Sequence, residues 1–241
     1  QPGSAFKQFV YGTAIEGGPD EFRIDCLREG NGSCKVSDVP ISIKMGRNKP
    51  RHHVTNYDGR VFGQLPVWVA LARSQNMAAM HLARRVGMDN ILDFSNRLHL
   101  TRKGIHAYPT MAIGAEEVTV LDLASAYSTF PKLGVYIKPR ILNQVTNSDG
   151  KTTVYYPELH QAIEPAVADT IVELLRHTVL YKSGTARSLG EDSYPIPIAG
   201  KTGTTNMFRD AWFCGFTYGL EGITACAWVG MDDGTPLATD G

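Results

Sequence analysis

Three runs near the C-terminal end, residues 195–205, 210–218 and 223–231, constrain the fold of this chain more than any other stretch. They read as strands joined by short connections, which predicts antiparallel pairing as a meander. Upstream the pattern changes, and residues 5–15, 89–98, 119–130 and 165–181 read as helices. Helices gathered in the middle and strands at the end predict an α+β fold, an antiparallel β-sheet packed against a largely helical subdomain, rather than alternating βαβ units.

Pro2-Gly3 makes a turn, and residues 5–15 follow with Phe6, Phe9, Val10 and Ala14 at helical spacing, ending at Gly17-Gly18. Residues 19–63 hold Gly, Pro, Asn and charge without sustained periodicity. They read as a long excursion that ends in the turn Asn56-Tyr57-Asp58-Gly59, and loops of that length usually serve a site. From Leu65 onward two helices flank Ser74, and Thr119 stands where it would cap the helix over 119–130. Residues 135–156 read as a β-hairpin turning at Ser148-Asp149-Gly150, and 165–181 as an amphipathic helix with Pro165 in its first turn.

At 241 residues the chain can bury a full core as one unit. Its 24 basic and 24 acidic side chains balance, with no basic stripe interleaved with aromatics, so the footprint of a nucleic-acid binder is missing. No apolar run approaches the roughly 20 residues that span a bilayer, which puts any membrane anchor outside this sequence. No metal or cofactor is expected, because the seven histidines make no H-x-x-x-H or Cys/His ligand spacing, and His52-His53 reads as an exposed loop pair. Cys26 and Cys34 flank a loop of Gly, Asn and Ser, and spacing alone leaves both a disulfide and free thiols open. Cys214 and Cys226 sit on successive apolar strands and read as buried thiols.

Three short motifs carry chemistry: Ser4-Ala5-Phe6-Lys7, Ser74-Gln75-Asn76 and Lys201-Thr202-Gly203. Each also has a plain structural reading. Ser4 would cap the first helix. A capping box, however, would place Glu or Gln three residues on, and Lys7 instead brings a positive charge to the first turn, where the helix dipole disfavours it. At i and i+3 the two side chains share a face, so a neutral Lys7 could accept the Ser4 proton while amides at the helix start stabilise an oxyanion. Neutrality requires a lowered pKa, which burial beside a second cation would provide, and Lys201 is the candidate.

Ser74 would likewise cap the helix running through Asn76, Met77 and Leu82. Beside the other motifs, Ser74 can relay a proton toward a leaving amine, while Asn76 fixes Lys7 and binds a substrate amide. Lys201-Thr202-Gly203 follows apolar residues and leads into two further strands. There Gly203 would let a ligand approach the backbone, and Lys201 with the hydroxyls of Thr202 and Thr204 would hold a carboxylate. The Thr204 amide would complete an oxyanion pair with that of Ser4; a polar strand end is the plain alternative. Lys182-Ser183-Gly184 fits the same K-[ST]-G pattern, but it ends the helix over 165–181, where Gly is an ordinary C-cap.

S-x-x-K, S-x-N and K-T-G together are the set of serine acyl-transfer enzymes that react with penicillin, and at these residues the chain resembles the transpeptidase domain of class A penicillin-binding proteins. Further blocks carry the resemblance in family order: Pro2-Gly3 before Ser4, Asn56-Tyr57-Asp58-Gly59, Ala70-Leu71-Ala72-Arg73 before Ser74, Gly114-Ala115-Glu116-Glu117-Val118-Thr119, and Asp210-Ala211-Trp212-Phe213. The resemblance implies that Ser4 attacks the bond between two terminal D-alanines of a peptidoglycan stem peptide and that the acyl group passes to an amine of a neighbouring stem. It also implies acylation by β-lactams, work at the outer face of the bacterial cytoplasmic membrane, and cell-wall synthesis proteins as partners.

Family members carry strands and a helix before the nucleophile helix and a closing helix after the last strand, with a separate glycosyltransferase domain and a membrane anchor. The chain starts three residues before Ser4 and stops at Gly241. It is therefore expected to be a single partial transpeptidase domain over 1–241, with an exposed sheet edge and an uncovered sheet face. Three other readings use the same residues. A class A serine β-lactamase needs a glutamate in an E-x-x-L-N stretch, and the nearest fragment, Glu158-Leu159-His160, lacks the spacing; class D relatives use a different second motif. A D,D-carboxypeptidase shares the acyl-enzyme, although Asp210-Ala211-Trp212-Phe213 favours the transpeptidase. A non-enzymatic β-lactam or peptidoglycan receptor would be acylated and never transfer.

Overall fold

A computed structural model describes residues 1–17, 34–44, 50–100, 107–190, 196–217 and 221–237. Its axis is the first helix, α1 (Lys7–Gly17), which is buried on every side from Lys7 to Ile15. The spacing of Phe6, Phe9, Val10 and Ala14 predicts one apolar face, but a helix in the middle of a domain has none turned to water. Gly12 makes this possible: a Cβ there would lie 2.7 Å from Cζ of Phe94 and 2.8 Å from Cδ1 of Ile171. The expected end at Gly17-Gly18 runs past the described residues at Gly18.

The helix expected from residue 5 begins differently. Gly3–Phe6 is a 3-10 turn, and regular α-helix starts only at Lys7. In a 3-10 turn positions i and i+3 eclipse, so Ser4 and Lys7 stand nearly one above the other instead of offset as on an α-helix.

The described part of the 19–63 excursion contains strands: β1 (Lys35–Asp38), β2 (Ile41–Lys44), β3 (Arg51–Val54) and β4 (Gly63–Pro66). β1 pairs with β4 and β2 with β3, both antiparallel. Four-residue strands are too short to show periodicity, which is why they read as loop. His52 and His53 are exposed as expected, but they lie on β3, where His53 Nδ1 meets Ser42 Oγ at 2.9 Å.

Four helices follow in the middle: α2 (Val67–Ala72), α3 (Asn76–Val86), α4 (Met88–Arg97) and α5 (Val120–Ser128). Thr119 caps α5, its hydroxyl accepting the Asp122 amide at 3.0 Å. The hairpin expected over 135–156 is narrower than the sequence suggests. β6 (Gln144–Thr146) pairs with β7 (Thr152–Val154) around the expected turn, whereas β5 (Val135–Ile137) pairs with β8 (Leu159–Gln161). Pro139 has no amide to continue a ladder, so the first strand cannot run on into the hairpin. Helix α6 (Pro165–Leu180) starts with Pro at its first position.

The C-terminal meander is as expected: β9 (Ile198–Thr204), β10 (Asp210–Thr217) and β11 (Thr224–Gly230) form a sheet in the order β11-β10-β9, antiparallel throughout. α6 packs on β9, and Thr178 of α6 donates from its hydroxyl to the Gly200 carbonyl. On β11, Trp228, Val229 and the flanking Ile223 and Met231 are exposed. The reading of Cys214 and Cys226 as thiols is corrected, because they form a disulfide. The Thr217 amide bonds the Ile223 carbonyl at 2.9 Å, which sets the ladder so that Cys214 and Cys226 face each other in a non-hydrogen-bonded pair with Cα atoms 4.1 Å apart. The Cys26–Cys34 pairing lies outside the described residues.

One buried polar cluster holds the turn that carries Ser74. Asp38 on β1 is fully buried and accepts from the Asn56 side-chain amide at 2.9 and 3.1 Å and from the Phe62 backbone at 3.1 Å. Asn56 Oδ1 accepts the Met77 amide at 3.1 Å. It thereby caps α3 from a distant loop, while the N-cap residue Gln75 makes no side-chain cap. Nearer the surface, Asp58 pairs with Arg73 at 3.1 Å. Removing Asn56 strips a buried carboxylate of its main donor and uncaps a helix, so Asn56→Ala should lower stability by about 2–3 kcal/mol in denaturant titration. Asp58→Asn, which breaks a partly exposed pair, should cost less than about 1 kcal/mol in the same titration.

Candidate active site

The three motifs meet although they lie far apart in the chain. β9 lies against the 3-10 turn so closely that neither backbone has room for side chains. A Cβ on Gly3, whose φ is +52°, would sit 2.6 Å from the Thr204 carbonyl oxygen. A Cβ on Gly203 would sit 3.0 Å from the Cβ atoms of Ala5 and Trp212 and would strike the Pro2 carbonyl. On the face where a Gly203 side chain would stand, the space is filled by the turn that carries Ser4.

Strand alternation sets Lys201 with Gly203 on one face of β9 and Thr202 with Thr204 on the other. The Thr205 amide bonds the Asp210 carbonyl, so the Thr204 amide falls on the side of β9 turned away from β10, toward the Ser4 turn. Asp210 fixes this end of the strand by accepting from Thr205 Oγ1 at 2.9 Å and from Trp228 Nε1 at 2.9 Å.

Lys7 and Lys201 are both fully buried. Lys7 Nζ lies 2.7 Å from Asn76 Oδ1, 2.5 Å from the Ser74 carbonyl and 3.2 Å from Ser74 Oγ. Lys201 Nζ lies 2.9 Å from the same Ser74 Oγ and 3.1 Å from the Thr202 carbonyl. The hydroxyl of Ser74 therefore joins two amines. Asn76 is held the right way round because its Nδ2 donates to the Thr55 carbonyl at 2.9 Å, which leaves Oδ1 for Lys7. Ser4 stands partly exposed at the head of the 3-10 turn, and its hydroxyl is not among the groups that Lys7 binds.

Ser74 is not a helix N-cap. It follows α2 with φ at +60°, its amide bonded to Leu71 O and that of Gln75 to Ala70 O, which is the left-handed C-terminal turn that glycine ordinarily fills. A serine there stores of order 1 kcal/mol of backbone strain, a cost found where side-chain chemistry matters.

The electrostatics follow from burial. Removal from water, and next the charge of Lys201, push the Lys7 amine well below its ordinary value, with Asp38 opposing. Burial lowers Lys201 to about 7. Of the two carbonyl contacts and one hydroxyl contact of Lys7, the carbonyls only accept. A neutral Lys7 therefore spends its two N–H bonds on them and keeps its lone pair for a hydroxyl proton.

The sequence makes Asn56 only a turn residue and gives no role to Asp38, Thr55 or Thr185, whose hydroxyl lies 2.7 Å from Thr202 Oγ1. Lys182-Ser183-Gly184 also differs from its expected role. α6 is capped by Tyr181, and Gly184 lies beyond it, packed on the Thr178 carbonyl.

Comparison with known proteins shows the family. The profile of the penicillin binding protein transpeptidase domain matches residues 1–235. Penicillin-binding protein 1A of Neisseria cinerea is 31% identical over 242 residues, covering 96% of this chain and 28% of the relative. Penicillin-binding protein 1A of Aquifex aeolicus is 32% identical over 237 residues, covering 96% and 29%. The chain thus spans less than a third of the length of these curated relatives. The crystal structure of penicillin-binding protein 1A from Haemophilus influenzae superimposes with a TM-score of 0.85 at 25% identity, over 100% of this chain and 39% of that one. Motifs, fold and profile coincide along the chain, which belongs to the transpeptidase domain family of the penicillin-binding proteins, with class A members among its relatives.

Proposed function

We propose that this chain is the D,D-transpeptidase domain of a peptidoglycan cross-linking enzyme. The observation that carries the reading is the shared hydroxyl: Ser74 Oγ between Lys7 Nζ and Lys201 Nζ, next to the turn that bears Ser4. Ser4 Oγ attacks the carbonyl between two terminal D-alanines, and its proton passes to neutral Lys7. The oxyanion is held by the amides of Ser4 and Thr204. As the C–N bond breaks, the proton moves from Lys7 through Ser74 to the departing amine of D-alanine. The acceptor amine of a second stem then attacks the ester, returns a proton by the same route and restores Ser4. Lys201 in its charged form and the hydroxyls of Thr202 and Thr204 hold the carboxylate of the donor. A penicillin presents the same carbonyl and carboxylate, but its leaving nitrogen stays tethered.

The Cys214–Cys226 disulfide supports work outside the cytoplasm, where such bonds persist. Among the described residues no helix is long and apolar enough to cross a membrane. Attachment to the membrane and contacts with cell-wall synthesis proteins are part of the same reading.

Fluorescent penicillin should label the intact protein covalently, and Ser4→Ala should abolish the label; labelling that survives the substitution removes Ser4 as nucleophile. Turnover of a D-Ala-D-Ala thioester distinguishes the enzyme from a receptor that is labelled and never transfers. The pH dependence has a definite sign. Acylation needs Lys7 neutral and Lys201 charged, so the second-order rate should rise with pH through the lowered pKa of Lys7 and fall as Lys201 loses its proton near 7. A rate that keeps climbing to about 10, where ordinary lysines titrate, would contradict this assignment. Ser74→Gly should change the melting temperature little, because relief of the positive φ offsets the loss of the shared hydroxyl, yet slow acylation by about 100-fold or more.

A further inference from the structure

The hydrogen bond between Thr202 and Thr185 connects the carboxylate grip to a segment that the sequence motifs leave out. Thr185 is exposed, but its backbone is fixed. Its amide donates to the Ala72 carbonyl at 3.0 Å, at the end of the helix that leads into Ser74. The next amide, of Ala186, donates to the Thr178 carbonyl at 3.0 Å, and that of Gly184 to the Tyr181 carbonyl at 2.8 Å. A Cβ on Gly184 would lie 3.0 Å from the His177 carbonyl oxygen and nearer still to that of Thr178, so this backbone lies flat on the last turn of α6. Thr178 in turn bonds the Gly200 carbonyl of β9. The Thr185 hydroxyl is therefore presented by a segment anchored to the helix before Ser74 and to the helix behind β9.

Proton accounting gives this contact a direction. A hydroxyl carries one proton, and in the structure Thr202 Oγ1 donates its own to Thr185 Oγ1 at 2.7 Å. A carboxylate only accepts. Once one is bound, the Thr202 proton must turn to it, and the bond between the threonines survives only if it reverses and Thr185 becomes the donor. A hydroxyl that receives a hydrogen bond is polarised into a better donor.

We propose that Thr185 is a positioning residue that acts through Thr202, turning the Thr202 proton toward the acyl donor and tuning the site to donors that end in a free carboxylate. The proposal rests on the transpeptidase reading above. Val matches Thr in shape but cannot donate, whereas Ser can.

The test measures second-order acylation of the intact protein by benzylpenicillin and by its carboxylate methyl ester, in competition with fluorescent penicillin. Thr185→Val should slow acylation by the free acid roughly 3- to 10-fold, and by the ester less than about twofold. Thr185→Ser should restore the free-acid rate, and in a Thr202→Val background Thr185→Val should have no further effect, whatever it does to stability. Equal losses on acid and ester, no loss on either, or full additivity with Thr202→Val would overturn the proposal. If the unsubstituted protein is not labelled at Ser4, the transpeptidase reading fails and takes this one with it. A labelled protein indifferent to Thr185→Val removes the role of Thr185 alone.

Discussion

Two amines out of contact with water, Lys7 and Lys201, share one hydroxyl, and the rest of the site is organised around them. Burying one ammonium is costly, and burying two side by side adds their repulsion. Burial and the charge of Lys201 lower the Lys7 pKa, a shift toward the neutral amine that the proposed nucleophile activation requires. Its fixed acceptors, the Ser74 carbonyl and Asn76 Oδ1, then decide where the remaining hydrogens point. Asn76 can accept only because Thr55 occupies its amide nitrogen. The same loop supplies Asn56, which caps α3 and links it to the buried Asp38. The geometry of the two amines thus rests on a polar cluster outside the three motifs.

Backbone shape does the other half. A 3-10 turn eclipses Ser4 with Lys7, and glycines at positions 3 and 203 let that turn lie directly on β9. An α-helix beginning at Ser4, or any side chain at either glycine, would move the alcohol away from the strand. The left-handed Ser74 belongs to the same pattern, a strained residue held because the turn must deliver a hydroxyl between two lysines.

Much of this was legible in the sequence, and the parts that were not share a cause. The meander, α6 with its leading proline and the Thr119 cap depend on local pattern, and they appear where the sequence placed them. The motif residues could be read because their types break local rules, as a lysine does in a first helical turn. What escaped depends on register or on distant partners. The Cys214–Cys226 bond follows from which residues oppose each other across β10 and β11, and that is fixed by a turn geometry that composition does not reveal. β5 leaves the hairpin next to it for β8. Asn56 looked like a turn residue because its partners, Asp38 and Met77, lie well away on either side of it in the chain. Thr185 follows a K-S-G tripeptide, and its contact with Thr202 of β9 depends on packing that local pattern does not carry.

The apposition of Gly3 with Thr204 joins segments about two hundred positions apart, nearly the whole length of the chain. Closing so large a loop has an entropic cost that grows only slowly with length, but the closure cannot happen until the far segment exists. During synthesis Ser4 emerges about two hundred residues before Thr204, so until then the turn that bears it lacks both its strand and the second amine. The proposed reactivity toward acyl donors is thereby tied to the arrival of β9, and a product interrupted between the two segments would carry Ser4 without that strand.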